Sequence, residues 1–260
     1  TYVSWLWDAG TAAATASTDG SITPSAQWVN TTAGFSINAW TGTDAVGATI
    51  GHGLNAKPDF IIIKQRVAGP GTDLYHWNSY HSAVGKDDSV ALNTSDAKYT
   101  SAIFNNTEPT NTVFTLGGSS GTYYDVNNSD GVTYMAYAWT AIPSYSFFGS
   151  FTGNGSSTGP FVYCGFTPRW IMIKEIGNAG HWIIHDTERS SINPDNAHLW
   201  SNENYLEDSS SINDTASRNQ LDVLSNGFKL RDTGSASNRS GGNYLVAAFA
   251  SSPFKTSRAR

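Results

Sequence analysis

Cysteine is almost missing from this chain: Cys164 stands alone. One thiol can build neither an intrachain disulfide framework nor a multi-cysteine zinc site, so stability has to come from packing. Charge is sparse as well. Charged residues make up 14% of the sequence, against roughly a quarter in soluble domains generally, and the formal net charge is −6. The basic run Lys255, Arg258 and Arg260 lies at the C-terminal end, and without a clustered positive surface nucleic-acid binding is not expected. No apolar stretch approaches the roughly 20 residues needed to span a bilayer, so membrane insertion is not expected either. A Gly-x-Ser-x-Gly elbow, a phosphate-cradling glycine loop and a His-Glu-x-x-His helix are all lacking. These absences point away from an enzyme, and no cofactor is expected.

Glycine and aromatic side chains are plentiful, with 25 Gly, nine Trp and twelve Tyr among 260 residues. That is too much apolar material for a disordered chain. The sequence is also self-similar. "KPDFIIIK" from Lys57 matches "TPRWIMIK" from Thr167, so that Pro58 and Pro168 stand 110 residues apart, as do Lys64 and Lys174. "WTGT" from Trp40 corresponds to "FTGN" from Phe151, "VFTLGG" from Val113 to "GFKLRD" from Gly227, and "NSDGVTYMAYAW" from Asn128 to "NRSGGNYLVAAF" from Asn238. Four blocks recurring in one order predict an internal repeat of about 110 residues.

"FIIIK" and "WIMIK" are short continuous apolar runs after a proline, the pattern of a strand buried on both faces. "TYMAYAW" and "NYLVAAF" combine aromatic and β-branched residues after Asn/Gly turn signals. Helical signals are few, with a turn or two predicted over 95–104 and 202–207. The expected fold class is therefore all-β, as tandem β-sandwich lobes of jelly-roll-like type. Residues 31–143 form the first lobe and 144–260 the second. Residues 1–30 read as a terminal strand, "TYVSWLWDAG", left from a preceding copy, followed by a polar linker. On that reading the natural protein extends further toward its N-terminus.

These blocks resemble a family of repeat modules in virion proteins of marine bacteriophages, particularly tail-fibre and other appendage proteins. The matching features are the aromatic-Thr-Gly start, "HGLNAKPDFIIIK", "CGFTPRWIMIK", "SNGFKLRD" and "SNRSGGNYLVAAF", over residues 34–260. The resemblance implies a virion location and a non-catalytic appendage protein, a tail or surface fibre, in contact with other virion subunits. It also implies a homo-oligomer, trimers being common in phage fibres. A carbohydrate-binding, lectin-like module and a capsid decoration protein are the alternatives.

Aromatics offer the most plausible binding chemistry, because Tyr and Trp stack on sugar rings while Asn, Asp and Ser hydrogen-bond hydroxyls. Tyr123, Tyr124 and Asp125, in a Gly-rich loop, are the candidate ligand-binding residues, with a host surface glycan as the expected partner. No metal site is expected. Asp125, Asn127 and Ser129 place oxygens at positions one, three and five of a calcium-like loop, but Asp130 stands where such a loop needs Gly and no closing Glu follows. His76, His81, His181 and His185 fall in Trp-containing segments and read as packed, hydrogen-bonded rings. Asp186 and Glu188 share a strand face instead of opposing each other as a glycosidase pair does. Cys164 reads as a small buried hydrophobe.

Overall fold

The computed structural model describes residues 3–11, 13–67, 76–117, 127–205 and 220–251. The chain forms two compact units, Thr1–Ser89 with Thr100–Thr140, and Val90–Tyr99 with Ala141–Arg260.

Up to Trp139 the strands are β1 (Ala26–Asn30), β2 (Phe35–Thr41), β3 (Thr49–Gly51), β4 (Phe60–Gln65), β5 (Asn78–His81), β6 (Asp88–Ala91), β7 (Tyr99–Thr100), β8 (Val113–Thr115) and β9 (Thr133–Trp139); all lie in the first unit except that β6 and β7 each run across its division from the second. A seven-stranded sheet in the order β1-β2-β9-β4-β5-β6-β7 is covered by the two-stranded sheet β3-β8. In the second unit follow β10 (Ser146–Thr152), β11 (Phe161–Tyr163), β12 (Pro168–Glu175), β13 (Trp182–Asp186), β14 (Leu199–Trp200), β15 (Leu221–Leu224), β16 (Gly227–Leu230) and β17 (Asn243–Ala250). Their orders are β10-β17-β12-β13-β14 and β11-β16-β15. Among the described residues the only helix is α1 (Ser235–Asn238), and no helix is long and apolar enough to cross a membrane. The all-β, antiparallel sandwich class expected from the sequence is the class observed.

Each unit buries a core between its two sheets. Trp40, Ile50, Ile61, Ile63, Tyr80, Phe114 and Tyr134 form the first, and Val162, Ile171, Ile173, Phe228, Tyr244 and Val246 the second. The apolar runs supply them by alternation, since residues two apart on a strand share a face. The alternate side chains Phe60, Ile62, Trp170 and Met172 are buried too. On that second face Trp139 stacks on both Phe35 and Phe60, at ring distances of 4.8 and 5.5 Å.

The same pairings occur in both units. Ile63 faces Ala136 across β4 and β9, and Ile173 faces Val246 across β12 and β17. Trp40 faces Tyr134 and stacks on it at 5.5 Å; Phe151 faces Tyr244 and stacks at 4.9 Å. The recurring "TG" and "N-x-S/D-G" blocks meet in one latch. Asn128 Oδ1 accepts from the Thr43 amide at 3.0 Å, and its Nδ2 donates to the Ala45 carbonyl at 2.9 Å. Asn238 Oδ1 accepts from the Asn154 amide and its Nδ2 donates to the Ser156 carbonyl, both at 2.9 Å. The hydroxyls of Tyr134 and Tyr244 accept from the amides of Ser129 and Arg239. Gly42 and Gly153 permit the approach, for a Cβ there would lie 2.1 Å from the Ser129 carbonyl oxygen or 2.4 Å from that of Arg239. Both Asn side chains are fully buried, and removing one partner strands buried amides and carbonyls. Asn238→Ala is therefore expected to cost about 2 kcal/mol, measured by urea unfolding; an unchanged midpoint would refute the latch.

Three expectations differ from the structure. Residues 26–30 are not linker but the edge strand β1, in register with β2 from Ala26↔Ala39 to Asn30↔Phe35, while residues 3–11 form no strand. Polar Gln27 escaped a core assignment, yet it is buried and bonds Asn38 Oδ1 at 2.6 Å and the Gly51 carbonyl at 2.7 Å. Residues 90–99 belong to the second unit, because Trp182 Nε1 donates to the Ala91 carbonyl, the Gly180 amide to Ser95 and the Lys98 amide to Ile176. The boundary between the units falls at residues 140/141. Finally, 95–104 holds the short strand β7 and a turn instead of helix, and the described part of 202–207 carries none.

Candidate binding face

The loop carrying Tyr123, Tyr124 and Asp125 lies outside the described residues. Its neighbour Asn127 is fully buried and serves the backbone, donating to the Ile103 carbonyl and accepting from the Gly117 amide. That carboxamide is turned inward onto the backbone and is not presented to solvent.

The histidines do not converge as ligands. His81 is buried, accepts from the Ala83 amide and lies against Phe60, whereas His76 is only partly buried. In the second unit His185 Nδ1 is 3.2 Å from Asp195 Oδ2, both groups being buried. The rings then form a file: His185 with His198 at 5.9 Å, His198 with Trp200 at 4.7 Å, and Trp200 with His181 at 5.1 Å. Burial would raise the Asp195 pKa, but the hydrogen bond and charge of His185 outweigh it and hold the carboxyl below its usual range. Burial pushes His198 down to about 4, with the nearby His185 acting in the same direction. Among the described residues no group of three His, Cys, Asp or Glu side chains could hold a metal ion. Asp186 caps a turn, accepting from the Glu188 amide at 3.0 Å, and Glu188 pairs with Arg169 at 3.2 Å. They are not poised as opposing acid and base. Burial pushes the Cys164 thiol up to about 12, which leaves it protonated and a poor nucleophile.

Among the described residues, the most exposed aromatic pair on a strand is one that the sequence pattern did not single out. On β11 Val162 points into the core, while Phe161 is 45% and Tyr163 64% exposed. Across the ladder Phe161 faces Lys229 and Tyr163 faces Gly227; beyond them Asp222 faces Lys229. Arg231 Nε holds Asp222 at 3.1 Å. Tyr163 has glycine on two sides, Gly227 opposite and Gly165 two residues on, where a Cβ would lie 3.7 Å from its hydroxyl. Its ring is left uncrowded.

The corresponding sheet of the first unit is closed. There Thr49 and Gly51 occupy the places of Phe161 and Tyr163, paired with Thr115 and Val113. Residues 17–22 lie over them. The Ser21 amide donates to Thr49 Oγ1, Ser21 Oγ accepts from the Thr49 amide, and the Ile22 amide donates to the Thr49 carbonyl. A Cβ on Gly51 would lie 2.3 Å from Ser17 Oγ, so a tyrosine there would displace the covering segment. One unit seals this face with glycine and threonine; the other opens it with two aromatics. The substitution of Gly51 and Thr49 by Tyr163 and Phe161 between the blocks was the signal in the sequence.

The molecule is thus an antiparallel β-sandwich protein in which, among the described residues, the second unit carries an exposed aromatic face at Phe161 and Tyr163. It belongs to a family described as a domain of unknown function, DUF7483, whose model matches residues 1–253. No curated protein and no solved structure matches the chain.

Proposed function

We propose that this chain is a non-catalytic bacteriophage virion appendage protein, part of a tail or surface fibre, made of two copies of one β-sandwich module. In this reading it is a structural element that contacts other virion subunits and its own copies, and displays a binding face outside the particle. The observation that carries it is the contrast between the units. The pairings at Ile63 and Ile173 and the latches at Asn128 and Asn238 are alike, while the face at Phe161 and Tyr163 is uncovered in one unit alone. A duplicated scaffold with one altered surface fits a module kept for its shape and specialised for contact. The resemblance of its sequence blocks to those of phage appendage proteins supports the virion location.

The test is immunogold electron microscopy of purified virions with antibodies raised to this chain. Label on tail or surface fibres is the expected result. Label on the capsid shell would favour a decoration protein, and virions without label would overturn the reading. The purified chain should release no reducing ends from host polysaccharide; turnover by it would make it a depolymerase.

A further inference from the structure

We propose that the outer face of the β11-β16-β15 sheet is a binding site for an acidic polysaccharide, with pyranose rings stacking on Tyr163 and Phe161 and a sugar carboxylate paired with Lys229. The inference rests on the reading of this chain as a binding module and names the ligand class of its open face.

Pyranose rings carry C–H bonds on their flat faces, and these settle on an aromatic π-surface while the hydroxyls around the rim seek donors and acceptors. The face supplies both. Tyr163 offers an unobstructed ring between two positions without side chains, Gly227 and Gly165. Phe161 stands two residues away on the same side of the strand, about 7 Å along it, so successive sugars of a chain can engage the two rings. Lys229 lies next to Phe161 in the ladder, and among the described residues it has no ion-pair partner. Asp222 is the acid nearest to it in register, and Arg231 already engages that carboxylate. With Asp222 held by Arg231 and no ion pair to Lys229 among the described residues, the ammonium favours an anionic sugar over a neutral one.

A protein partner fits this face less well. A stable protein interface buries about 800 Å² per partner, whereas β11 is three residues long and β15 and β16 four each. The segment that covers the matching sheet in the first unit also cannot be laid here in the same way, because Tyr163 fills the space that Ser17 takes above Gly51. The face is small, with its two aromatics along the edge strand β11 and Lys229 beside them on the central strand β16, which suits a linear sugar chain.

Affinity electrophoresis of the purified chain in gels containing polygalacturonate, hyaluronan or neutral dextran tests the proposal. Retardation is expected in the two acidic polymers and not in dextran. Tyr163→Ala should weaken it about tenfold, with an unchanged melting temperature because the side chain is exposed. Lys229→Gln should weaken binding to the acidic polymers and reduce its salt sensitivity. Equal retardation by dextran, or retention that neither variant alters, would overturn the proposal. So would a Tyr163→Ala variant whose only change is its sedimenting mass, which would assign the face to a second copy of the chain. Virion labelling is scored separately, so a fibre protein without sugar binding and a sugar-binding protein absent from the virion give different results.

Discussion

Replacing Ile173 by Asp is expected to unfold the second unit. Ile173 is fully buried, flanked in its core by Ile171, Tyr244 and Val246, and sits in the middle of β12 between the ladders to β13 and β17. Removing its contacts forfeits about 1.5–3 kcal/mol of apolar burial. The new carboxylate would have no hydrogen-bonding or cationic partner among these apolar neighbours, so it must either be desolvated as an ion or take up a proton. Together these exceed about 4 kcal/mol, a large share of the 5–15 kcal/mol that holds a typical domain. Ile173→Val, which keeps the shape and removes one methylene, should cost only about 1 kcal/mol. Ile63→Asp in the first unit, against Ala136 and Tyr134, should behave as Ile173→Asp does. Urea unfolding followed by tryptophan fluorescence checks all three, and an Ile173→Asp chain melting near the parent temperature would mean that β12 is not the spine of its sandwich.

That spine was legible because its signal is local and chemical. Pro58 and Pro168 mark strand starts, the four apolar residues after each supply both faces, and the blocks around Tyr134 and Tyr244 fall at the same offset. The latch was half legible: the "TG" and "N-x-S/D-G" blocks stood out as recurring text, but their meeting depends on a turn from one end of the module closing on a strand from the other. What stayed hidden lacks periodicity. Residues 17–22 are Ser, Thr, Asp, Gly and Ile with no alternation, and they hold their place through hydrogen bonds of Ser21 and Ile22 to Thr49 and of the Ser17 amide to Gln27 Oε1. The placement of residues 90–99 in the second unit rests on backbone carbonyls such as Ala91 and Ser95 accepting from Trp182 and Gly180, and side-chain pattern carries no record of that. The open face was written in the sequence only as a difference between copies, Gly51 against Tyr163. A search for similarity looks past such a difference.

Acid should destabilise the second unit well before its carboxylates are lost, and His198 is the reason. The ring is buried, donates from Nδ1 to the Asn196 carbonyl at 3.1 Å and lies edge-on to Trp200. Burial and then the neighbouring His185 push its pKa from 6.5 to about 4. Above pH 6.5 the ring is neutral in both folded and unfolded chains, and its titration contributes nothing to the pH dependence. Between pH 6.5 and pH 4 the unfolded chain binds a proton that the folded chain refuses, so stability falls as pH falls, by up to about 1.4 kcal/mol per pH unit and about 3 kcal/mol in all. Asp195 does not share this window, because its pKa is held below the usual carboxylate range and its contribution is lost only at lower pH. His181, also lowered chiefly by burial, adds to the slope with the same sign. His198→Asn keeps a donor near the Asn196 carbonyl but removes the titrating ring; it should be less stable at neutral pH, through lost packing on Trp200, and lose less on acidification. Urea midpoints between pH 7 and pH 4.5 provide the measurement. A parent chain equally stable across that range, or a His198→Asn variant with the parent's full acid slope, would show that the buried ring does not control the acid response.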